Sequence, residues 1–350
     1  MGVADPLGER VAECHERRHV GHARAGLPAS GDARSSGRRP PGELLPAPDR
    51  DPRGAAPRRS TPCCDEGVDP GRLVAVGDSF TEGVGDPHLR YPNGYRGWAD
   101  RLARQLGRAD PRWEYANLAL RSKRIDAVLA EQLPAALALR PTVATFFAGG
   151  NDLLAVRADV DGVLDHYERA VAALAGTGAA VVVFTAFDPR MTALLEPLTR
   201  RARAMNAGIR DIADEHDALV VDHARLREFD DPRLWAPDRL HMSRWGHKRM
   251  AAAVLREIGV PHTLHLRRLT DPPPPTRWTR AVADEARFVR DEVVPLVRRR
   301  VTGRSSADTA DPKWPDPVRP ADGLKRLARE RSAPLRGAPA TVQPSTKVGR

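Results

Sequence analysis

Cysteine, lysine, aromatic side chains and long apolar runs are all scarce in this chain of 350 residues. Its three cysteines, Cys14, Cys63 and Cys64, precede the first strongly apolar segment, and no histidine accompanies them at metal-ligand spacing. A disulfide framework is therefore excluded from everything that follows them, and incidental thiols are the expectation. No apolar signal-peptide core and no uninterrupted run of membrane-spanning length occurs, so a reducing, cytoplasmic setting is the default expectation. Only Lys123, Lys248, Lys313, Lys325 and Lys347 are lysines among 56 basic residues. The bias toward Arg, Ala, Pro and Gly is that of a GC-rich coding sequence, which weakens the formal charge of +10 as a sign of a polyanionic partner. Basic against acidic residues number 11 to 10 over 1–66, 26 to 26 over 67–260 and 19 to 10 over 261–350. The middle is neutral, nucleic acid is disfavoured as its partner, and the excess sits toward the C-terminus.

Residues 1–66 are punctuated by proline and carry few aromatic or β-branched side chains. They read as a disordered leader, or as a stretch upstream of a translation start near Val68 or Val74. From there to about residue 262, short apolar runs alternate with helical patterns. The runs lie at 73–76, 115–118, 142–147, 179–186 and 218–221, and the helices at 94–106, 124–137, 160–175, 195–216 and 244–258, the last capped by Ser243. Unalternating strands separated by helices predict an α/β fold with a parallel sheet covered on both faces.

Three segments carry chemistry. Gly77-Asp78-Ser79 follows the first strand and precedes a glycine-rich stretch; Gly149-Gly150-Asn151-Asp152 follows the third; Asp238 and His241 stand three residues apart before the last helix. A serine in a turn at a strand's carboxyl end is exposed for attack, and needs a base to become nucleophilic. A histidine supplies that base, and a carboxylate one turn away fixes its tautomer. Each segment also has a plainer explanation: a helix cap at Ser79, an Asx turn at Asn151, a helix start at Asp238. Asp78 and Asp152 are expected to brace their turns, and His247 is the rival base. Arg121, Lys123 and Arg124 read as solvent-facing or as contacts for an anionic substrate. The glycines at 77–85 lack the Gly-Lys-Ser/Thr ending of a phosphate loop.

In order and spacing the three segments resemble the SGNH hydrolases, the GDSL-type esterases and lipases, over roughly residues 72–260, with wording closest to an actinobacterial branch. The resemblance implies a three-layer flavodoxin-like fold with a five-stranded parallel sheet in the order 2-1-3-4-5. It implies a triad of Ser79, Asp238 and His241, and an oxyanion hole from the N–H of Ser79, the N–H of the residue at 122 and the amide of Asn151. Asn117 is expected to hold the second-block loop. That block usually carries a glycine where this chain has Ser122. The implied activity is hydrolysis of a small-molecule carboxylic ester without cofactor or metal. An O-acyltransferase or deacetylase using the same residues, and an inactive scaffold with a basic binding tail, are the alternatives.

Beyond 262 the composition changes. Pro272–Pro275 predicts a stiff spacer. Trp278, Val282, Ala286, Val289, Val293 and Val297 form one apolar helical stripe, expected to pack on the chain's own domain, with a membrane-surface or partner-binding helix as its alternative. The basic remainder from Thr302 is expected to be a disordered tail.

Overall fold

The computed structural model describes residues 71–155, 157–187, 196–269, 290 and 310–332. The leader, its cysteines, the proline spacer and the apolar stripe lie outside the described residues.

Strand β1 (Arg72–Gly77) leads into a single helical turn, α1 (Ser79–Glu82). Helix α2 (Trp98–Ala109) and β2 (Glu114–Asn117) follow. Helix α3 is broken into Ile125–Ala127, a π-turn at Val128–Gln132, and Leu133–Ala138. Then come β3 (Val143–Phe147), the short α4 (Gly150–Leu153), α5 (Val160–Ala175) and β4 (Ala180–Phe184). Helix α6 (Glu196–Glu215), β5 (Leu219–Val221) and α7 (Arg244–Glu257) complete the part read from the sequence as strand–helix repeats. Ser243 caps α7 as expected, its hydroxyl accepting from the N–H groups of Trp245 and Gly246. Helix α2 starts four residues later than its pattern suggested, because Pro92–Gly94 forms a 3-10 turn with Asn93 at φ 58°.

The sheet runs β5-β4-β3-β1-β2, with a sixth strand beyond β2. Strands β1 to β5 pair in parallel in the expected order 2-1-3-4-5. Side chains of β1 alternate between two cores. Leu73 and Ala75 join α2 and α7 on one face, while Val74 and Val76 join α3, α5 and α6 on the other. Both faces are thus covered, which explains why the strands read as unbroken apolar runs.

The sixth strand corrects the expectation of a structureless tail from Thr302. Residues 314–318 form β6, antiparallel to β2, with Tyr115 opposite Val318 and Asn117 opposite Trp314. Helix α8 (Leu324–Ser332) follows and buries Leu324 and Ala328 against the α2 face. The sequence Trp-Pro-Asp-Pro-Val hides a strand, since proline cannot donate to a ladder; at a sheet edge that loss is tolerated.

Candidate active site

Gly77 turns the chain out of β1 at φ 150°, and a Cβ there would lie 2.2 Å from the Phe147 carbonyl oxygen of the adjacent strand. Only glycine fits such an approach. Gln132, at the end of the π-turn, clamps this glycine from both sides: its side-chain oxygen accepts from Gly77 N–H at 3.0 Å and its amide donates to Gly77 C=O at 2.9 Å. Asp78 caps α1 by accepting from Phe80 N–H at 3.0 Å. The cap points Ser79 toward the carboxyl edge of the sheet, almost fully buried.

His241 reaches Ser79 from across the chain. Its Nε2 lies 2.8 Å from Ser79 Oγ, and its Nδ1 lies 2.7 Å from Asp238 Oδ2. Asp238 is fixed in turn by the N–H groups of Leu240 and His241, which both donate to Oδ1. Burial pushes the Asp238 carboxyl up, but the hydrogen bonds from the His241 ring and these backbone groups outweigh it and hold the acid below its usual value. Arg239, between the two, sits at φ 52°, the turn that brings both side chains to one side.

Asn151 lies just after Gly149, in the first turn of α4. Its Nδ2 donates to Lys123 C=O at 3.0 Å and makes a longer contact, 3.4 Å, to Asp78 Oδ2. Asp78 is desolvated enough that its pKa rises to about 7, with Asp152 and Glu82 adding repulsion and Phe80 N–H and His241 opposing it. Ser79, Gly150 and Asn151 share a cavity of about 70 Å³ with Phe80, Phe147, Phe187, Leu153, Leu154 and Leu240 among its walls.

The remaining predicted residues are placed as follows. Ser122 is exposed, adopts φ 65°, and is not among the lining residues of that cavity. Its neighbours are tied down: Arg121 N–H donates to Glu82 at 2.7 Å, and Lys123 C=O receives Asn151. Asn117 is buried behind the loop, its Oδ1 accepting from Ala119 N–H at 3.1 Å. Asp152 braces a different turn from its own, accepting from Ile125 N–H and Arg124 Nε, each at 3.0 Å. Arg121 and Lys123 likewise face carboxylates, Glu82 and Glu131, rather than an open anion site. His247 does not approach Ser79. It is buried, its Nε2 bonds to Val84 C=O at 3.0 Å, and burial followed by repulsion from Arg101 drives its pKa to about 3.

Gln132 and Glu82 are site-supporting residues that sequence reasoning missed. Gln132 is a polar residue in a helical pattern, where solvation is the ordinary reading; for Glu82 the only signal was that it falls in the nucleophile's own glycine-rich turn. Among the described residues, the group able to hold a metal ion is Glu168, Glu215 and His216, none of which belongs to the serine site. No helix among the described residues is long and apolar enough to cross a membrane.

Residues 75–249 match the model of the GDSL-like lipase/acylhydrolase family. None of the curated proteins matches the chain. Solved structures similar to it include LAE5, an alpha/beta hydrolase enzyme from the metagenome of Lake Arreo, Spain, at 21% identity over 55% of this chain and 97% of that one, with a TM-score of 0.47. Axe2, an acetylxylan esterase from Geobacillus stearothermophilus, is 20% identical over 55% of this chain and 98% of its own, TM-score 0.46. A lipase/acylhydrolase from Enterococcus faecalis is 18% identical over 54% and 95%, TM-score 0.44.

Proposed function

The chain belongs to the GDSL-like lipase/acylhydrolase family, and on that premise we propose that it is a serine esterase cleaving small carboxylic esters through an acyl-enzyme. The observation that carries the reading is the continuous relay from Ser79 Oγ to His241 Nε2 and from His241 Nδ1 to Asp238. Ser79 Oγ attacks the ester carbonyl as its proton passes to His241 Nε2. Asp238 keeps the imidazole in the tautomer that can accept it and stabilises the imidazolium. The alcohol leaves with that proton, and a water, deprotonated by the same nitrogen, then releases the acid. The oxyanion takes hydrogen bonds from Ser79 N–H and Asn151 Nδ2, with Ser122 N–H as third donor. The long Asn151 contact to Asp78 is the one the oxyanion displaces; the shorter one to Lys123 keeps the amide oriented.

The cavity beside Ser79 receives the acyl group. An apolar protein cavity of ~150 Å³ accommodates benzene, and this one is about half that size. It suits an acyl chain of roughly two to four carbons. The relay also argues against an inactive scaffold.

The test pairs a serine-reactive fluorophosphonate with a panel of esters of increasing acyl length. Wild type is expected to label at Ser79 and to prefer short chains, and Ser79→Ala to lose both labelling and hydrolysis while melting normally. Labelling of Ser79→Ala at the wild-type rate overturns the assignment; a preference for long chains overturns the acyl-size reading alone.

A further inference from the structure

The C-terminal segment outside the family match, residues 310–332, buries a lysine beside the edge strand β6. Lys313 is fully buried, and so is the Asp100 carboxylate it faces at 2.5 Å. Its ammonium also donates to Glu82 C=O at 3.0 Å and lies 5.8 Å from the centre of the Tyr91 ring. Removing two charges from water costs several kcal/mol per ion, so a pair of this kind is seldom the cheapest way to pack a tail.

What the pair touches is specific. Glu82 ends the helical turn that begins at Ser79, and its carboxylate takes Arg121 through the backbone N–H and the guanidinium, and Asn93 through its amide at 2.9 Å. The same Asn93 amide donates to Asp311 C=O at 3.0 Å. Asp100 Oδ1 accepts from Trp314 Nε1 and Tyr115 OH, each at 3.2 Å. Tyr115 OH receives Asn117 Nδ2 at 2.9 Å, and Asn117 holds Ala119 N–H. Asn117 is also the β2 residue that pairs with Trp314 in the sheet. Both ends of the loop 117–122 and the end of the nucleophile turn are therefore tied to one segment. Arg331 of α8 locks that segment by donating to Lys313 C=O at 2.5 Å and to Pro312 C=O at 3.4 Å.

We propose that residues 310–332 are a clip that completes the active site, with Lys313 as the positioning residue that sets the Ser79 turn and the 117–122 loop relative to each other. The inference rests on the hydrolase reading above. The clip contributes no reacting atom. It holds the oxyanion donors in register with the nucleophile, and misplacement of such groups by about 1 Å costs up to ~10²-fold in rate.

The test uses the full chain. Lys313→Met is expected to lower kcat ~10- to 100-fold with KM nearly unchanged, and to weaken binding of a boronate transition-state mimic in proportion. A control, Ile209→Ala in the opposite core, is compared at a temperature where both variants are folded. It is expected to lose melting temperature but not kcat. Arg331→Ala, at an exposed position of α8, is expected to fold and to lower kcat about two- to fivefold with KM unchanged. That variant decides the matter if Lys313→Met does not fold. An unchanged kcat in Arg331→Ala, or a Lys313→Met that loses only stability as the control does, overturns the proposal. A wild type that neither labels nor hydrolyses any ester sinks the hydrolase reading instead, which separates the two failures.

Discussion

Replacing Asp78 by Asn should change the pH dependence of stability by an amount the structure specifies. Asp78 is buried beside Ser79, and its pKa rises from 3.8 to about 7, chiefly through desolvation. Native Asp78 therefore holds its proton over a range in which the unfolded chain has released it. Between those two values the native state binds more protons, so stability falls as pH rises. Relative to a residue that never ionises, the penalty is about 1.6 kcal/mol at pH 5 and grows to about 4 kcal/mol by pH 8. Asn keeps the acceptor that caps Phe80 N–H, so the helix start survives. It also turns an amide toward Asn151, a fixed offset that does not vary with pH. The stability of Asp78→Asn minus that of wild type, from urea unfolding, should thus increase by about 2–3 kcal/mol between pH 5 and pH 8. A difference that is flat across this range, or that shrinks as pH rises, refutes the desolvation argument.

The proposed triad and its surroundings give further expectations. Asp238→Asn should lower kcat by up to ~10⁴-fold without unfolding the chain, because the imidazole loses its tautomer; steady-state kinetics beside a thermal melt checks this. Asn151→Ala should cost about 10²–10³-fold in kcat with KM little changed. Ser122→Gly should change stability by less than about 1 kcal/mol, since relief of the φ of 65° is offset by the greater freedom of unfolded glycine. Ser122→Pro should break the loop outright, because proline locks φ near −65°; a melt that drops by several degrees shows it. His247→Ala should reduce stability more than turnover on a folded sample, as the ring bonds to Val84 and not to Ser79.

The parallel sheet was legible because each strand is buried on both faces and so reads as one apolar run; Leu73 to Val76 is the clearest example. The candidate site was legible where chemistry demands particular residue types at short spacing, as with Asp238 and His241, which lie in hydrogen-bond contact. What escaped was held by long-range polar contacts. Gln132 is a polar residue in a helical pattern, and nothing local reveals that a π-turn aims it at Gly77. Asp100 and Lys313 are 213 residues apart, so neither segment alone hints that its charge is buried. The left-handed φ of Ser122 was hinted at only by the glycine that the resemblance expects there, since serine itself does not announce that conformation.

The edge pairing of β2 with β6 also sets a clock for biosynthesis. A ribosome that has finished β2 must add about 200 more residues before Val318 emerges, which at ~5–20 residues per second takes roughly 10–40 s. During that interval the outer rim of β2 is an open template for other chains, and Asp100 lacks its partner Lys313. The nascent protein is therefore expected to pass through an adhesive stage until β6 arrives. On the clip reading, hydrolysis should reach its full rate only at that arrival and not when Ser79, Asp238 and His241 have all been synthesised.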